Sequence, residues 1–170
     1  MKGLQEFLNE GLVNEASKTK IQIKSIEGKV LFEHECPSNT IRKTVEAAVK
    51  KGIKLNKANL NGVNLKGANL KGVNLEFAYL TGADLEGANL KGANLERLFL
   101  DDANLKGANF ESADMYSAQL DNANLEGANL KGAFLKNANL NGANLNGANL
   151  KGAELKGADL EGALMKNTLK

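Results

Sequence analysis

The chain has 170 residues, which suits one domain with a small addition, and 42% of them are hydrophobic although only 5% are aromatic. Its formal net charge of +2 is too small to indicate direct binding to nucleic acid or to an anionic membrane. No apolar run reaches the roughly 18 residues of a transmembrane helix, and the N-terminus lacks the apolar core of a secretory signal, so we expect a cytoplasmic protein.

Residues 1–18 are predicted to form a short amphipathic segment. Leu4, Phe7 and Leu8 have helical spacing, which Leu12 extends. The first ten residues also resemble the capsid-targeting leader of internal head proteins in large tailed phages, with Leu8-Asn9-Glu10 as the processing site. Because ten residues make a short signature, an uncleaved amphipathic start is the preferred interpretation.

Residues 19–52 begin with a predicted β-hairpin. Lys20–Ile26 and Lys29–Glu35 indicate two strands around a Glu-Gly turn, and Pro37 ends the second. His34 and Cys36 lie two residues apart, so they share one face of that strand. No third residue is placed to orient them, and we therefore expect no catalytic pair. A lone cysteine also indicates a reducing compartment.

A second helix is predicted to complete this block. Ser38 or Asn39 is expected to cap it and Gly52 to stop it. Four apolar side chains share one face of the helix: Ile41, Val45, Ala48 and Val49. The hairpin and the helix are predicted to form a small α+β cap over the end of the region that follows.

The region 53–170 is a repeat of five residues. From Leu55 to Met165 every fifth residue is large and apolar, at twenty-three positions without an insertion. From Ala58 onward a small apolar residue lies two positions before each, with Leu98 the one large exception, and a glycine usually lies two positions after. Asn or Asp usually stands between the small and the large residue. The unit is therefore A-(N/D)-L-x-G.

A period of five residues fits neither a helix nor a straight strand, because both would leave half of the leucines in water. A corner once per repeat lets every Leu point inward, so the chain must coil and its coils must stack about 4.8 Å apart. The sequence therefore predicts an all-β solenoid. Its predicted core includes seven large side chains: Leu60, Leu80, Leu100, Phe110, Met115, Leu120 and Leu140.

Residues 53–167 resemble the pentapeptide-repeat family. The resemblance implies a right-handed quadrilateral β-helix with four repeats per coil, and hence about six coils. The N-terminal block resembles that of phage-associated members, in which a hairpin and a helix ending in a segment like Val45–Val49 precede the repeats. It indicates a phage-encoded or virion-associated protein.

Four repeats per coil place residues twenty apart in one outward column. Tyr79 then stacks on Phe99, and Arg97 lies over Phe77. These four residues, the aromatic patch, break the repeat where small turn-forming residues are expected. One interpretation is stacking that stabilises the rod, and the other is a recognition patch for a partner. The column that begins with Asn69 is interpreted as a structural amide ladder.

Acidic residues gather in the middle of the repeats. Residues 53–170 carry 13 basic and 13 acidic residues, but 76–126 hold ten acids against three bases. Five of these acids form the candidate acidic band: Glu76, Glu96, Asp101, Asp102 and Asp121. The alternation Lys66, Glu86, Lys106, Glu126 in another column indicates cross-coil ion pairs.

Three function classes follow from these patterns. The repeats contain no His or Cys, so we expect no enzyme, no cofactor and no metal site. Some members of the family resemble a DNA duplex in shape and charge and bind DNA gyrase, and the acidic region 76–126 makes such mimicry the alternative. The preferred interpretation is a rigid module that binds a protein partner. The apolar residues Leu164, Met165 and Leu169 suggest a homodimer through the C-terminal end.

Overall fold

The computed structural model describes residues 17–169, in which three regular elements precede the repeats. Strand β1 spans Lys18–Lys24, strand β2 spans Val30–Pro37 and helix α1 spans Ile41–Lys50. The strands form an antiparallel hairpin with one shift of register near its turn. Among the described residues, no helix has the length and apolarity that crossing a bilayer requires. The predicted amphipathic segment and leader lie outside the described residues, apart from the first residues of β1.

The predicted ends of the hairpin strands were wrong by two residues. Strand β1 ends at Lys24, before the predicted Ile26. The next residue, Ser25, still donates its amide hydrogen across the turn to the carbonyl of Lys29 at 2.8 Å, and it also forms an antiparallel bridge with Ala58 of the first coil. Strand β2 continues past the predicted Glu35 to Pro37, which has no amide hydrogen to donate to a further pair.

The helix cap was also predicted at the wrong residue. Thr40, not Ser38 or Asn39, caps α1, and its hydroxyl accepts a hydrogen bond of 3.2 Å from the amide of Lys43. Asn39 is buried, and its side chain instead donates to a carbonyl of β2 at 2.8 Å. Gly52, the predicted stop, follows the helix with a φ of 66°, which is common after helix ends.

From residue 55 onward the chain is a solenoid whose coils repeat every twenty residues. Parallel bridges join residues twenty apart, from Asn59–Tyr79 to Asn149–Leu169. Turns separate the five-residue repeats, so one coil holds four of them. Neighbouring coils are joined by backbone hydrogen bonds such as the 2.8 Å bond from the amide of Leu80 to the carbonyl of Phe99. The right-handed sense and the total of about six coils stay predictions.

Inward side chains of the repeats fill the core. From Leu55 to Leu150, every large inward side chain is at most 3% exposed, and the alanines between them are equally buried. The range includes all seven large side chains that the sequence places in the core. The repeats therefore present their polar residues outward in columns, where any site must lie.

The hairpin and the helix cover the first coil. Three of their apolar side chains join its core: Ile23, Val45 and Ala48. Two amides of this coil, which has no preceding coil, find acceptors in the same block. The amide of Asn59 donates to the carbonyl of Lys24 at 2.8 Å, and the amide of Asn69 donates to the Glu46 carboxylate at 2.9 Å.

Candidate interaction surface

One corner of the solenoid differs from the other three. Every corner residue, two positions after an inward large residue, has a φ between 53° and 74°, which is the left-handed conformation that favours glycine. Three corners carry mainly glycine. The fourth, called the corner column here, carries a side chain in five consecutive coils and glycine in the next: Lys57, Phe77, Arg97, Ser117, Asn137 and Gly157.

Most residues of the corner column are not glycine, which is the least strained residue in this backbone conformation. A side chain other than glycine in the left-handed conformation costs about 1–2 kcal/mol, and less for Asn. Phe77 and Arg97 have φ values of 56° and 53°, whereas Gly157 occupies the same column at 74°. Glycine is therefore compatible with this corner, and the fold does not require large side chains there.

The aromatic patch lies along and beside this corner. The rings of Tyr79 and Phe99 are stacked, with centroids 4.5 Å apart and an angle of 15° between planes. The Arg97 guanidinium carbon lies 5.3 Å from the centroid of the Phe77 ring, in cation–π contact. Nε of Arg97 is also 3.7 Å from the carboxylate of Glu96. All three rings are half-buried.

A surface groove of about 530 Å³ adjoins the patch. Its lining contains three members of the aromatic patch, two of the acidic band, and two further polar residues: Phe77, Arg97, Phe99, Asp101, Asp121, Ser117 and Gln119. Tyr79 supports the groove by stacking on Phe99. Glu76, Glu96 and Asp102, the other members of the acidic band, are not part of the lining.

Asp101 and Asp121 stack as like charges on neighbouring coils. The amide of Asp121 donates to Oδ1 of Asp101 at 3.2 Å, and Nδ2 of Asn139 donates to Oδ2 of Asp121 at 2.7 Å. Burial, and next the hydrogen bond with the Asp121 side chain, raise the pKa of Asp101 above its usual value. Stacked like charges destabilise a sheet, so this pair is costly.

Other acids of the solenoid stack on lysines instead. Three cross-coil pairs have N–O distances of 2.7, 2.9 and 3.0 Å: Lys66–Glu86, Lys91–Glu111 and Lys106–Glu126. The hydrogen bond from Lys91 lowers the pKa of Glu111. The alternation is the electrostatically favourable arrangement, and the Asp101–Asp121 column departs from it beside the groove.

Two groove residues, Ser117 and Gln119, were not predicted from the sequence. The signal that identifies the first was present, since glycine is absent from every twentieth position between Lys57 and Asn137. Phe134, a residue that is 44% exposed in another column, was not singled out either. Each of these positions breaks the A-(N/D)-L-x-G pattern.

The cap region shows a packed histidine. The ring of His34 stacks against Phe32, with centroids 6.3 Å apart, on the face of β2 that Cys36 shares. Between residues 17 and 169, no group of three or more His, Cys, Asp or Glu side chains is arranged to hold a metal ion. The groove is thus the concave surface where the departures from the repeat meet.

Comparison with known families identifies the repeats. Pentapeptide repeats match in eight copies over residues 58–97, 100–132 and 128–167, which is more than half of the chain. The chain belongs to the pentapeptide-repeat family. The matched ranges begin at residue 58, so the resemblance of the N-terminal block to phage-associated members stays a prediction.

Solved structures of other pentapeptide-repeat proteins are similar to this one. Rfr23 from the cyanobacterium Cyanothece 51142 is 35% identical over 65% of this chain and 86% of that chain, with a TM-score of 0.52. A protein from the Arabidopsis thaliana thylakoid lumen is 32% identical over 62% of this chain and 63% of that chain, with a TM-score of 0.35. QnrB1, a plasmid-mediated fluoroquinolone resistance protein, is 17% identical over 68% of each chain, with a TM-score of 0.29. No curated protein matches the sequence.

Proposed function

We propose that this pentapeptide-repeat protein is a non-catalytic module that binds a partner protein through the groove and the aromatic patch. One observation carries the proposal. Three members of the corner column, the half-buried ring of Phe99 and the stacked carboxyl groups all line one concave surface. Aromatic and arginine side chains are the residue types that dominate protein interfaces.

Stabilisation of the rod does not account for this surface. The Arg97–Phe77 contact contributes about 0.5–1 kcal/mol at an exposed site. The left-handed conformation of both residues costs about 1–2 kcal/mol each. The cost exceeds the gain, so a partner is the better explanation for side chains at these two corners.

A binding role also fits the chemistry of the groove better than catalysis. Its lining has two carboxyl groups, an arginine, two rings, an amide and one hydroxyl, with no histidine or cysteine beside the hydroxyl. A serine without a base to activate it is a poor nucleophile. The leucine-filled interior holds no second polar cluster within the described residues.

The test is capture of partners from the native host with the full chain and with two variants. Tyr79→Asn with Phe99→Asn restores the repeat pattern in the patch, and Phe134→Asn makes the same change in another column. We expect the double variant to lose captured partners while its free energy of unfolding stays within about 1 kcal/mol of the parent. The Phe134 variant should retain them.

Two results would contradict the proposal. One is undiminished capture by the Tyr79 and Phe99 double variant. The other is an equal loss of capture by the Phe134→Asn variant, because that change leaves the groove intact. The first result would mean that the stacked rings serve the rod alone, and the second that recognition is not confined to the groove.

Mimicry of DNA, with gyrase as the target, is the second candidate. It is favoured by the ten acids among residues 76–126. Three of them form ion pairs with lysines on the preceding coil: Glu86, Glu111 and Glu126. A surface interrupted in this way resembles a duplex less than a uniformly acidic one does. Absence of binding to purified gyrase would exclude this candidate.

A second copy of the chain is the proposed partner of the last described coil. Leu155 and Leu160 are partly exposed there, and Leu164 and Leu169 are 55% and 51% exposed. Such a face is suited to self-association. Light scattering should detect a dimer that Leu164→Lys with Met165→Lys converts to a monomer. A cytoplasmic location and a phage origin stay predictions of the sequence.

A further inference from the structure

The groove offers two carboxyl oxygens that accept from no N–H group of the described residues. Asp101 uses Oδ1 to accept from the amide of Asp121, and Asp121 uses Oδ2 to accept from Asn139. Apart from the contact between the two carboxyl groups themselves, Oδ2 of Asp101 and Oδ1 of Asp121 have no hydrogen-bond partner among residues 17–169. A pair of carboxylates with two open oxygens matches the N–H groups of a guanidinium or an ammonium group.

Charge around the groove favours a cation. Residues 76–126 hold seven more acids than bases, and the Asp101–Asp121 column has no lysine partner among the described residues. The basic residue in the lining, Arg97, is already in contact with the Phe77 ring and near the Glu96 carboxylate. A cation placed between the two aspartates relieves their mutual repulsion, and no basic side chain among residues 17–169 forms an ion pair with either of them.

The aromatic side of the groove suits the rest of a long basic side chain. Phe77 and Phe99 line the groove together with both aspartates. The methylene stem of arginine or lysine packs on aromatic surface while its charged end bonds to carboxylates. An arginine can also stack its guanidinium on a ring face. Aspartates and rings in one groove thus favour a basic side chain over a bare cation.

From these contacts we infer that the groove is a socket for one arginine or lysine side chain of the partner protein, held between Asp101 and Asp121 and packed on Phe77 and Phe99. The inference rests on the proposed function and names the chemistry that the partner presents. Arginine fits better than lysine, because its planar fork can donate to both open oxygens at once.

The experiment uses the full chain labelled with ¹⁵N and three small probes. N-acetyl-arginine amide and N-acetyl-lysine amide carry the charge, and N-acetyl-citrulline amide has the shape of the arginine probe without it. We expect the arginine probe to shift the amide signals of Phe99, Asp101, Gln119 and Asp121 in a saturable manner. Binding of the citrulline probe should be about tenfold weaker or undetectable.

Two matched double variants separate the socket from general attraction. Asp101→Asn with Asp121→Asn and Glu86→Gln with Glu126→Gln each remove two negative charges. Asn61 and Asn141 occupy the column of the first pair, so asparagine is compatible with it. The first variant should bind the arginine probe at least about tenfold more weakly, and the second should bind it as the parent does.

The outcomes distinguish this inference from the proposed function. Equal binding of arginine and citrulline probes, or equal losses in both double variants, would overturn the socket. Partners captured by the Asp101 and Asp121 double variant, but lost by the Tyr79 and Phe99 double variant, would also overturn it and leave the proposed function standing. Loss of the same partners by both supports the two together.

Discussion

Two corners of the solenoid have the same backbone and different side chains. One carries glycine in five successive coils, from Gly67 to Gly147, and the corner column carries none from Lys57 to Asn137. The φ values and hydrogen bonds of the two corners agree closely. The amide of Gly87 donates to the carbonyl of Lys106 at 2.9 Å, and the amide of Phe77 donates to the carbonyl of Glu96 at 3.0 Å.

The fold therefore fixes the backbone conformation of a corner but not the type of residue that occupies it. Glycine adopts a left-handed φ without strain, so it is the default where only the turn matters. A column that repeatedly accepts the strain of larger side chains must gain something other than the turn. We propose that in the corner column this gain is contact with a partner protein at the groove.

The largest loss of stability is expected in the core, and it should be equal beneath both corners because the same core lies under each. Leu95 precedes Arg97 of the corner column and Leu105 precedes Gly107 of the glycine corner, and both leucines are fully buried. Leu95→Ala and Leu105→Ala should each lower the free energy of unfolding by about 2–5 kcal/mol. Denaturant unfolding measures both. A loss at one position only would mean that the two corners differ in the core as well.

Exchanging one residue type between the corners should give effects of opposite sign. Gly107→Ser places a side chain at a φ of 65° where a new Cβ meets no atom within 4 Å, so only backbone strain opposes it. Ser117→Gly removes the same strain at a φ of 53°. We expect a loss and a gain of about 1 kcal/mol in thermal or denaturant unfolding. Destabilisation by Ser117→Gly would show that this serine supports the rod.

The stacked aspartates should make stability depend on pH with an unusual sign. The raised pKa of Asp101 means that the stability present below its unfolded pKa, about 3.9, is lost as pH rises through the folded pKa. Asp101→Asn should therefore melt at a higher temperature than the parent at pH 7, and the difference should disappear near pH 3.

Glu111 provides the control of opposite sign. The hydrogen bond from Lys91 lowers its pKa, so its stabilising contribution is present above the unfolded pKa and is lost as pH falls through the folded pKa. Glu111→Gln should melt at a lower temperature than the parent at pH 7 and at the same temperature in acid. The same sign for both variants at pH 7 would contradict the distinction between the two columns.

The smallest effect on the free energy of unfolding is expected at an exposed ion pair between coils. Lys106 pairs with Glu126 at 3.0 Å, and both side chains are about half exposed. Lys106→Gln should change the free energy of unfolding by less than about 1 kcal/mol, and added salt should reduce the difference. A larger loss in chemical unfolding would show that cross-coil pairs contribute more than exposed ion pairs usually do.

Much of this structure was determined by the sequence alone. The five-residue period, the inward leucines and the family follow from residues that repeat without an insertion from Leu55 to Met165. Stacking of Tyr79 on Phe99 and of Arg97 on Phe77 followed once residues twenty apart were taken as neighbours. These features are predictable because each repeat folds by the same local rule.

Other features were decided only by the tertiary structure. Ser25 bridges to Ala58 because the first coil stacks next to the hairpin, and Asn39 is buried while Thr40 caps the helix. The groove joins Phe77 to Asp121, which are far apart in sequence and meet because the coils stack. Local sequence sets the turn of each repeat, but contacts between coils and with the cap depend on how the whole chain closes on itself.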